Sequence, residues 1–199
     1  MPDLPDPEHP PLRTFGRIKS RPIKPRQAAL LETLLPGIRP PAGDFDLRAL
    51  MPGAAEAWLE IGFGGGEHMA AQAAKHPDVV ILGAEPFQNG VASALRHIDD
   101  AGLKNVRVHD GDVRELLGRM PDASLARAFI LFPDPWPKSR HHKRRLIQPT
   151  ALDAFARLLR AGGRRSPVGR LFRGPGEGPG AEDLLQAPVH VVRDVAGEA

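Results

Sequence analysis

Residues 57–66 read AWLEIGFGGG, an apolar run that breaks into a cluster of glycines, and residues 67–76 follow with helix-forming composition. This order predicts a strand, a tight turn and a helix. The alternation continues, with apolar runs at 79–84, 106–109 and 125–132 and predicted helices at 89–101, 112–120 and 149–160. VVILGA at 79–84 is apolar throughout, as expected of a strand buried on both faces. The pattern predicts right-handed βαβ units and a doubly wound, mostly parallel α/β sheet.

The composition excludes several classes of protein. The chain has 199 residues, of which 41% are hydrophobic, enough for one domain with a core. It has no cysteine, which excludes disulfides, thiolate zinc sites and a cysteine nucleophile. No apolar run approaches the roughly 18–20 residues of a membrane span, and residues 1–13 lack the pattern of a signal peptide. We therefore expect a soluble, cytoplasmic protein with no membrane partner.

The basic residues are concentrated in two acid-free clusters. Residues 13–30 contain six lysines and arginines, and residues 137–147 contain five, in a chain of net charge +3. Clusters of this kind are typical of proteins that bind a phosphate backbone. The alternative interpretation is two solvated surface stretches.

The chain divides into three parts by composition. Residues 1–55 combine a proline-rich basic arm, a short helix at 27–35 that Pro36-Gly37 should stop, and a linker. Residues 56–163 hold the alternating strands and helices. Residues 164–199 are rich in glycine and proline, and only Val189–Val192 resembles a strand there. We expect this tail to be poorly ordered.

The glycine cluster favours one kind of nucleotide site. A dinucleotide fingerprint, G-x-G-x-x-G, needs a third glycine at position 67, where the chain has Glu67. A pyrophosphate is also disfavoured by negative charge at a helix N-terminus. The pattern E-x-G-x-G-x-G, formed by Glu60, Gly62, Gly64 and Gly66, resembles the class I S-adenosylmethionine-dependent methyltransferases. That cofactor carries a sulfonium and an ammonium, which suit a nearby Glu60. The alternatives are an NAD-dependent oxidoreductase and a generic glycine-rich turn.

Two further acids follow the second and third predicted strands. Glu85 ends the run VVILGA, where a carboxylate can accept hydrogen bonds from both hydroxyls of a ribose. Asp112 lies just beyond the third strand, where it can contact an adenine amino group or simply cap the next helix. Both positions support a nucleoside cofactor.

An unusual string, FPDPWPK at residues 132–138, follows the fourth strand. Flanking prolines restrict the backbone around Asp134, whose carboxylate can accept hydrogen bonds from guanine. Lys138, Arg144 and Arg145 suit RNA phosphates. His141-His142 has no companion ligands at metal spacing, so we expect no metal. A structural proline-rich turn is the alternative interpretation.

The strings EIGFGGGEHM, GAEPFQNGV, FPDPWPKSRHHKRRLIQP and RTFGRIK resemble the bacterial tRNA (guanine-N7-)-methyltransferases, from about residue 13 to 163. The resemblance implies a Rossmann-like class I fold and methylation of guanine 46 in the tRNA variable loop. It implies that the cofactor site is lined by Glu60, Glu85, Asp112 and Asp134. Asp134 would also be the active-site residue, and Lys138 would bind the substrate.

The C-terminus departs from this family. Residues 164–170 read RRSPVGR, where the family continues with an apolar strand ending in Thr-Asp and later has a T-x-x-E motif. We therefore expect the closing strands to be missing or degenerate, which leaves a sheet edge uncovered. A reading-frame shift near codon 163 is our hypothesis, and translation of the other frames tests it. For the function, the alternatives to tRNA guanine-N7 methylation are a catalytically impaired tRNA-binding remnant and a methyltransferase that acts on another RNA.

Overall fold

The computed structural model describes residues 22–131, 149–159 and 189–192. The N-terminal part contains two short helices, α1 (Pro25–Thr33) and α2 (Leu35–Ile38), and a 3₁₀ turn at Arg48–Leu50. Strands and helices then alternate. They are β1 (Glu56–Ile61), α3 (Glu67–Lys75), β2 (Val79–Ala84), α4 (Gln88–Asp100), β3 (Val106–His109), α5 (Arg114–Leu117), β4 (Arg127–Leu131), α6 (Pro149–Leu158) and β5 (Val189–Val192).

The strands form one sheet in the order β3-β2-β1-β4-β5. The pairs β3–β2, β2–β1 and β1–β4 are all parallel. This arrangement confirms the predicted α/β fold, because parallel strands need helical crossovers that cover both faces of the sheet. No helix in the described ranges is long and apolar enough to cross a membrane.

Strand β1 separates two hydrophobic clusters, one on each face of the sheet. Leu59 and Ile61 pack with α5 and α6 residues such as Leu116 and Phe155 on one face. Trp58 packs on the other face with residues of α1, α3 and α4. This alternation follows from the two-residue period of a strand, and it makes the sheet the middle layer of a three-layer domain.

The C-terminal boundary of the helix predicted at 27–35 is wrong. Helix α1 stops at Thr33, and Pro36-Gly37, expected to be helix-breaking, lies inside α2. A proline in the first turn of a helix costs little, because the missing N–H has no helical acceptor there. The two helices bury Leu30 and Leu35, so the helical part of residues 1–55 belongs to the core.

Two other predicted elements are longer than those observed. The helix predicted at 112–120 is only Arg114–Leu117, and at its start the Asp112 carboxylate accepts the Arg114 N–H at 3.0 Å. The strand predicted at 125–132 begins at Arg127, since Leu125 forms an isolated bridge with Leu159 after a turn with positive φ at Ala123.

Strand β5 lies where the sequence predicts a strand, and it pairs antiparallel with β4, with Ile130 opposite His190. The expectation that this sheet edge is uncovered is therefore wrong: the β4 edge opposite β1 is occupied by β5. The rest of residues 160–199 lies outside the described ranges.

Candidate active site

The predicted cofactor residues lie at the carboxyl ends of adjacent strands. The glycine loop follows β1, Glu85 follows β2, and Asp112 follows β3 by three residues. The strand order runs from β1 outward to β3 on one side and to β4 on the other. Open parallel sheets bind ligands in the crevice at such a reversal, so the fold places these residues at the expected edge.

The glycine loop has a conformation that other residues rarely adopt. Gly62, Gly64 and Gly66 have φ angles of 69°, 56° and 85°, all in the left-handed region. A Cβ added at Gly66 would lie 2.4 Å from the Cβ of Ala94 in α4. At Gly64, no atom of the described residues lies within 4 Å of such a Cβ. The loop therefore packs against α4 at one end, and the described part of the chain leaves space beside Gly64.

Glu85 holds this loop in place. The residue is 8% exposed, and its carboxylate accepts the Gly64 N–H at 3.0 Å and the Phe87 N–H at 2.9 Å. Gly90 in the first turn of α4 lies against the same loop, because its added Cβ would be 2.3 Å from the Gly64 carbonyl oxygen. The end of β2 and the start of α4 thus fix the position of Gly64.

Glu60 is a fully buried carboxylate at the end of β1. Its Oε2 lies 2.7 Å from Nδ1 of His68 on α3. Its Oε1 is buried, and no hydrogen-bond partner for that oxygen is present among the described residues. Burial raises the pKa of Glu60, and the hydrogen bond from His68 partly opposes that rise. A donor that reaches Oε1, above all a cationic one, would relieve the cost of burying this oxygen.

Asp112 is buried beside Arg114, which sequence reasoning did not identify. The guanidinium forms a bidentate pair with it, through Nε to Oδ1 at 2.9 Å and Nη2 to Oδ2 at 2.5 Å. The pKa of Arg114 is raised, chiefly by this hydrogen bond. A carboxylate has about four acceptor positions, so contact with a ligand amino group remains compatible with both interactions.

Comparison with known proteins places this chain in a family. The family model described as "Putative methyltransferase" matches residues 54–165. The tRNA (guanine-N(7)-)-methyltransferase of Caulobacter sp. (strain K31) is 63% identical over 158 residues, which cover 79% of this chain and 70% of that protein. The protein of that name from Caulobacter vibrioides is 60% identical over 158 residues, which cover 79% of this chain and 70% of that protein. The one from Hyphomonas neptunium is 52% identical over 155 residues, which cover 77% of this chain and 71% of that protein. The chain belongs to the tRNA (guanine-N7-)-methyltransferase family.

Four predicted site residues of this family member lie outside the described ranges. They are Asp134, Lys138, Arg144 and Arg145. Their roles remain predictions from the sequence. The match to the methyltransferase family model ends at residue 165, close to the position where the sequence analysis puts the departure from the family pattern.

Three contributors to the site were missed by sequence reasoning, namely His68, Gly90 and Arg114. His68 and Gly90 occur in the strings that carry the family resemblance, yet nothing in those strings shows what they contact. Gly90 did carry a signal, because a glycine inside a predicted helix is unfavourable and indicates a close approach. Within the described ranges, no group of three or more His, Asp or Glu side chains is arranged to hold a metal.

Proposed function

We propose that this chain transfers the methyl group of S-adenosylmethionine to N7 of guanine 46 in the tRNA variable loop. The observation that carries the proposal is the open side of Gly64, in a loop that begins beside buried Glu60 and is hydrogen-bonded to buried Glu85. Family membership supports the choice of a guanine N7 in tRNA.

The residues present fit S-adenosylmethionine. The Glu60 Oε1, buried and without a partner in the described part of the chain, suits the cationic methionine end of the cofactor. Glu85 is proposed to accept hydrogen bonds from the ribose hydroxyls, and Asp112 from the adenine amino group, in addition to the contacts they already make. Gly64 lets the ligand approach the backbone closely.

Methyl transfer to guanine N7 requires positioning of the two reactants rather than proton transfer. S-adenosylmethionine supplies an electrophilic methyl group on a sulfonium. The N7 lone pair of guanine forms the new N–C bond while the C–S bond breaks, leaving S-adenosylhomocysteine and a cationic 7-methylguanine. N7 carries no proton, so no general base is needed. Orientation alone can supply about 7–11 kcal/mol in favourable cases.

Asp134 is proposed to orient the guanine and to stabilise the positive charge that develops on it. The residue follows β4 by three positions, and β4 is a direct neighbour of β1. A base must leave its tertiary contacts to reach such a pocket, at a cost of a few kcal/mol. The basic residues Lys138, Arg144 and Arg145 are proposed to offset this cost through phosphate contacts.

The test uses purified protein, unmodified tRNA and methyl-labelled S-adenosylmethionine, followed by aniline cleavage to map 7-methylguanine. We expect label at guanine 46. Asp134→Ala should abolish turnover while tRNA affinity measured by filter binding persists. Equal loss of both would contradict the role of Asp134. A wild-type chain that binds tRNA but transfers no methyl group would instead identify a non-catalytic tRNA-binding relative.

A further inference from the structure

The pair formed by Glu60 and His68 joins β1 to α3 across the glycine loop. The Glu60 side chain is 0% exposed and that of His68 is 37% exposed, with 2.7 Å between Oε2 and Nδ1. The carboxylate is therefore buried, while the imidazole remains partly accessible. No other partner of the Glu60 carboxylate occurs among the residues that the structure describes.

The contacts of the two ring nitrogens of His68 indicate which of them carries the proton. The side-chain amide nitrogen of Gln72, one turn later on α3, is 3.3 Å from Nε2. The ionised carboxylate of Glu60 only accepts, so the ring nitrogen beside its Oε2 donates: the proton of the neutral ring resides on Nδ1, and Nε2 accepts from the Gln72 amide. The ring of Phe129 from β4 packs edge-to-face on the imidazole, with 5.1 Å between centroids. Two neighbours thus hold the ring with its N–H toward Glu60.

We propose that His68 is a positioning residue, whose Nδ1–H fixes one oxygen of Glu60 so that the other is presented to the cationic amino group of the cofactor's methionine end. The inference rests on the proposed function, because it assigns Glu60 to that part of the ligand. It goes beyond the proposed function because it assigns a residue that is needed to bind the methionine end of the cofactor and is not needed to bind the adenosine end.

The physical basis is the free-energy cost of burying a Glu60 carboxylate oxygen that has no hydrogen-bond partner. A buried acceptor without a partner costs about 1–3 kcal/mol, and a charged one costs more. Without His68, Glu60 would have two such oxygens in the described surroundings and would lose the contact that orients it. The carboxylate would then be protonated more readily or rotate away, and either change removes the acceptor that a cationic ligand group needs.

Two nucleosides separate this role from general damage to the loop. S-adenosylhomocysteine carries the methionine-derived amino group, whereas 5′-methylthioadenosine has the same adenosine and lacks that group. We expect His68→Ala to weaken S-adenosylhomocysteine binding at least tenfold by calorimetry and to change 5′-methylthioadenosine binding less than twofold. His68→Asn should retain most of the affinity, because its amide nitrogen can replace the Nδ1 donor.

A matched control is His76→Ala. His76 packs on Trp58, with 4.8 Å between ring centroids, on the same face of the sheet. Its removal should leave both affinities unchanged. A direct readout on the ligand-free protein is the ¹⁵N signature of the His68 ring, which should show the Nδ1–H tautomer.

Several results would overturn the inference. Equal weakening of both nucleosides in His68→Ala would show a merely structural role, and so would an Asn variant as weak as the Ala variant. An Nε2–H tautomer would contradict the geometry even if the variants failed to fold. A wild-type protein that binds neither nucleoside would refute the proposed function and this inference with it, an outcome distinct from equal weakening.

Discussion

Replacing Gly90 with alanine should displace the glycine loop and weaken ligand binding in a chain that still folds. Gly90 is buried in the first turn of α4, where an added Cβ would be 2.3 Å from the Gly64 carbonyl oxygen and 3.4 Å from Glu85 Cγ. The first contact must open by roughly 0.7 Å to reach 3.0 Å, below which Cβ contacts essentially never occur. The atom in the way is backbone, so a side-chain rotation cannot relieve it.

The magnitude follows from two opposing effects. Overpacking typically costs about 1–3 kcal/mol, while alanine gains roughly 0.8–1.0 kcal/mol over glycine inside a helix. We therefore expect a loss of about 0–2 kcal/mol in the free energy of unfolding. Ligand binding should weaken as well, because the displaced Gly64 backbone borders the open side of the loop where the ligand is proposed to lie. We expect S-adenosylhomocysteine affinity to fall at least tenfold.

The assay pairs urea unfolding with calorimetric titration of S-adenosylhomocysteine. Gly118→Ala is the matched control: it follows α5 with helical φ and ψ of −75° and −14°, and none of the described atoms lies within 4 Å of its added Cβ. This change should raise stability by about 0.4–1 kcal/mol and leave affinity unaltered. If Gly90→Ala binds the ligand as tightly as Gly118→Ala, the argument that α4 fixes the loop is wrong.

Three further variants test other parts of the structure. Burial raises the pKa of Glu60 in the folded protein. The stabilisation that this gives the folded state is present below the ordinary pKa of about 4.3 and is lost as pH rises through the folded-state pKa. Unfolding of Glu60→Gln from pH 4 to 8 should therefore show the variant gaining stability relative to the wild type as pH rises, whereas a constant difference would contradict this. Asn105→Ala should cost roughly 1–3 kcal/mol in urea unfolding, because the buried amide donates to carbonyls of Ala73, His76 and Val79 at 2.9–3.0 Å; an unchanged midpoint would show that these carbonyls find other donors. Lys138→Ala should weaken tRNA binding and lower the slope of log affinity against log salt by about one, and an unaltered slope would argue against a phosphate contact.

The sheet was predictable because its strands carry a strong local signal. VVILGA at Val79–Ala84 and the runs at Val106–His109 and Val189–Val192 match the observed strands, since continuous or alternating apolar residues are what buried strands require. The strand predicted at 125–132 is less accurate at its start. Its first residue, Leu125, pairs with Leu159 just beyond α6, and such a long-range choice leaves no mark in the local pattern.

The interior of the site was less predictable than its location. Alternating glycines indicate left-handed backbone after a strand, and Gly62, Gly64 and Gly66 do adopt it. The hydrogen bond from the Gly64 N–H to Glu85 crosses 21 positions of sequence, and no spacing rule predicts it. The Asp112–Arg114 pair is local, yet an arginine two residues after an acid has many other possible partners. Contacts of this kind depend on where the strands place their ends.

The three strand-end carboxylates are held in different ways, and the difference argues for different tasks. Glu85 accepts two backbone N–H groups and Asp112 binds a guanidinium, so both are already compensated electrostatically and can accept further weak donors such as hydroxyls or an amino group. Among the described residues, Glu60 has one partner, His68, and its buried Oε1 has none. Burying an uncompensated charge is the most expensive of these arrangements. A cationic ligand group therefore gains most from Glu60, and variants of Glu60 should discriminate between charged and neutral ligands more strongly than variants of Glu85 or Asp112.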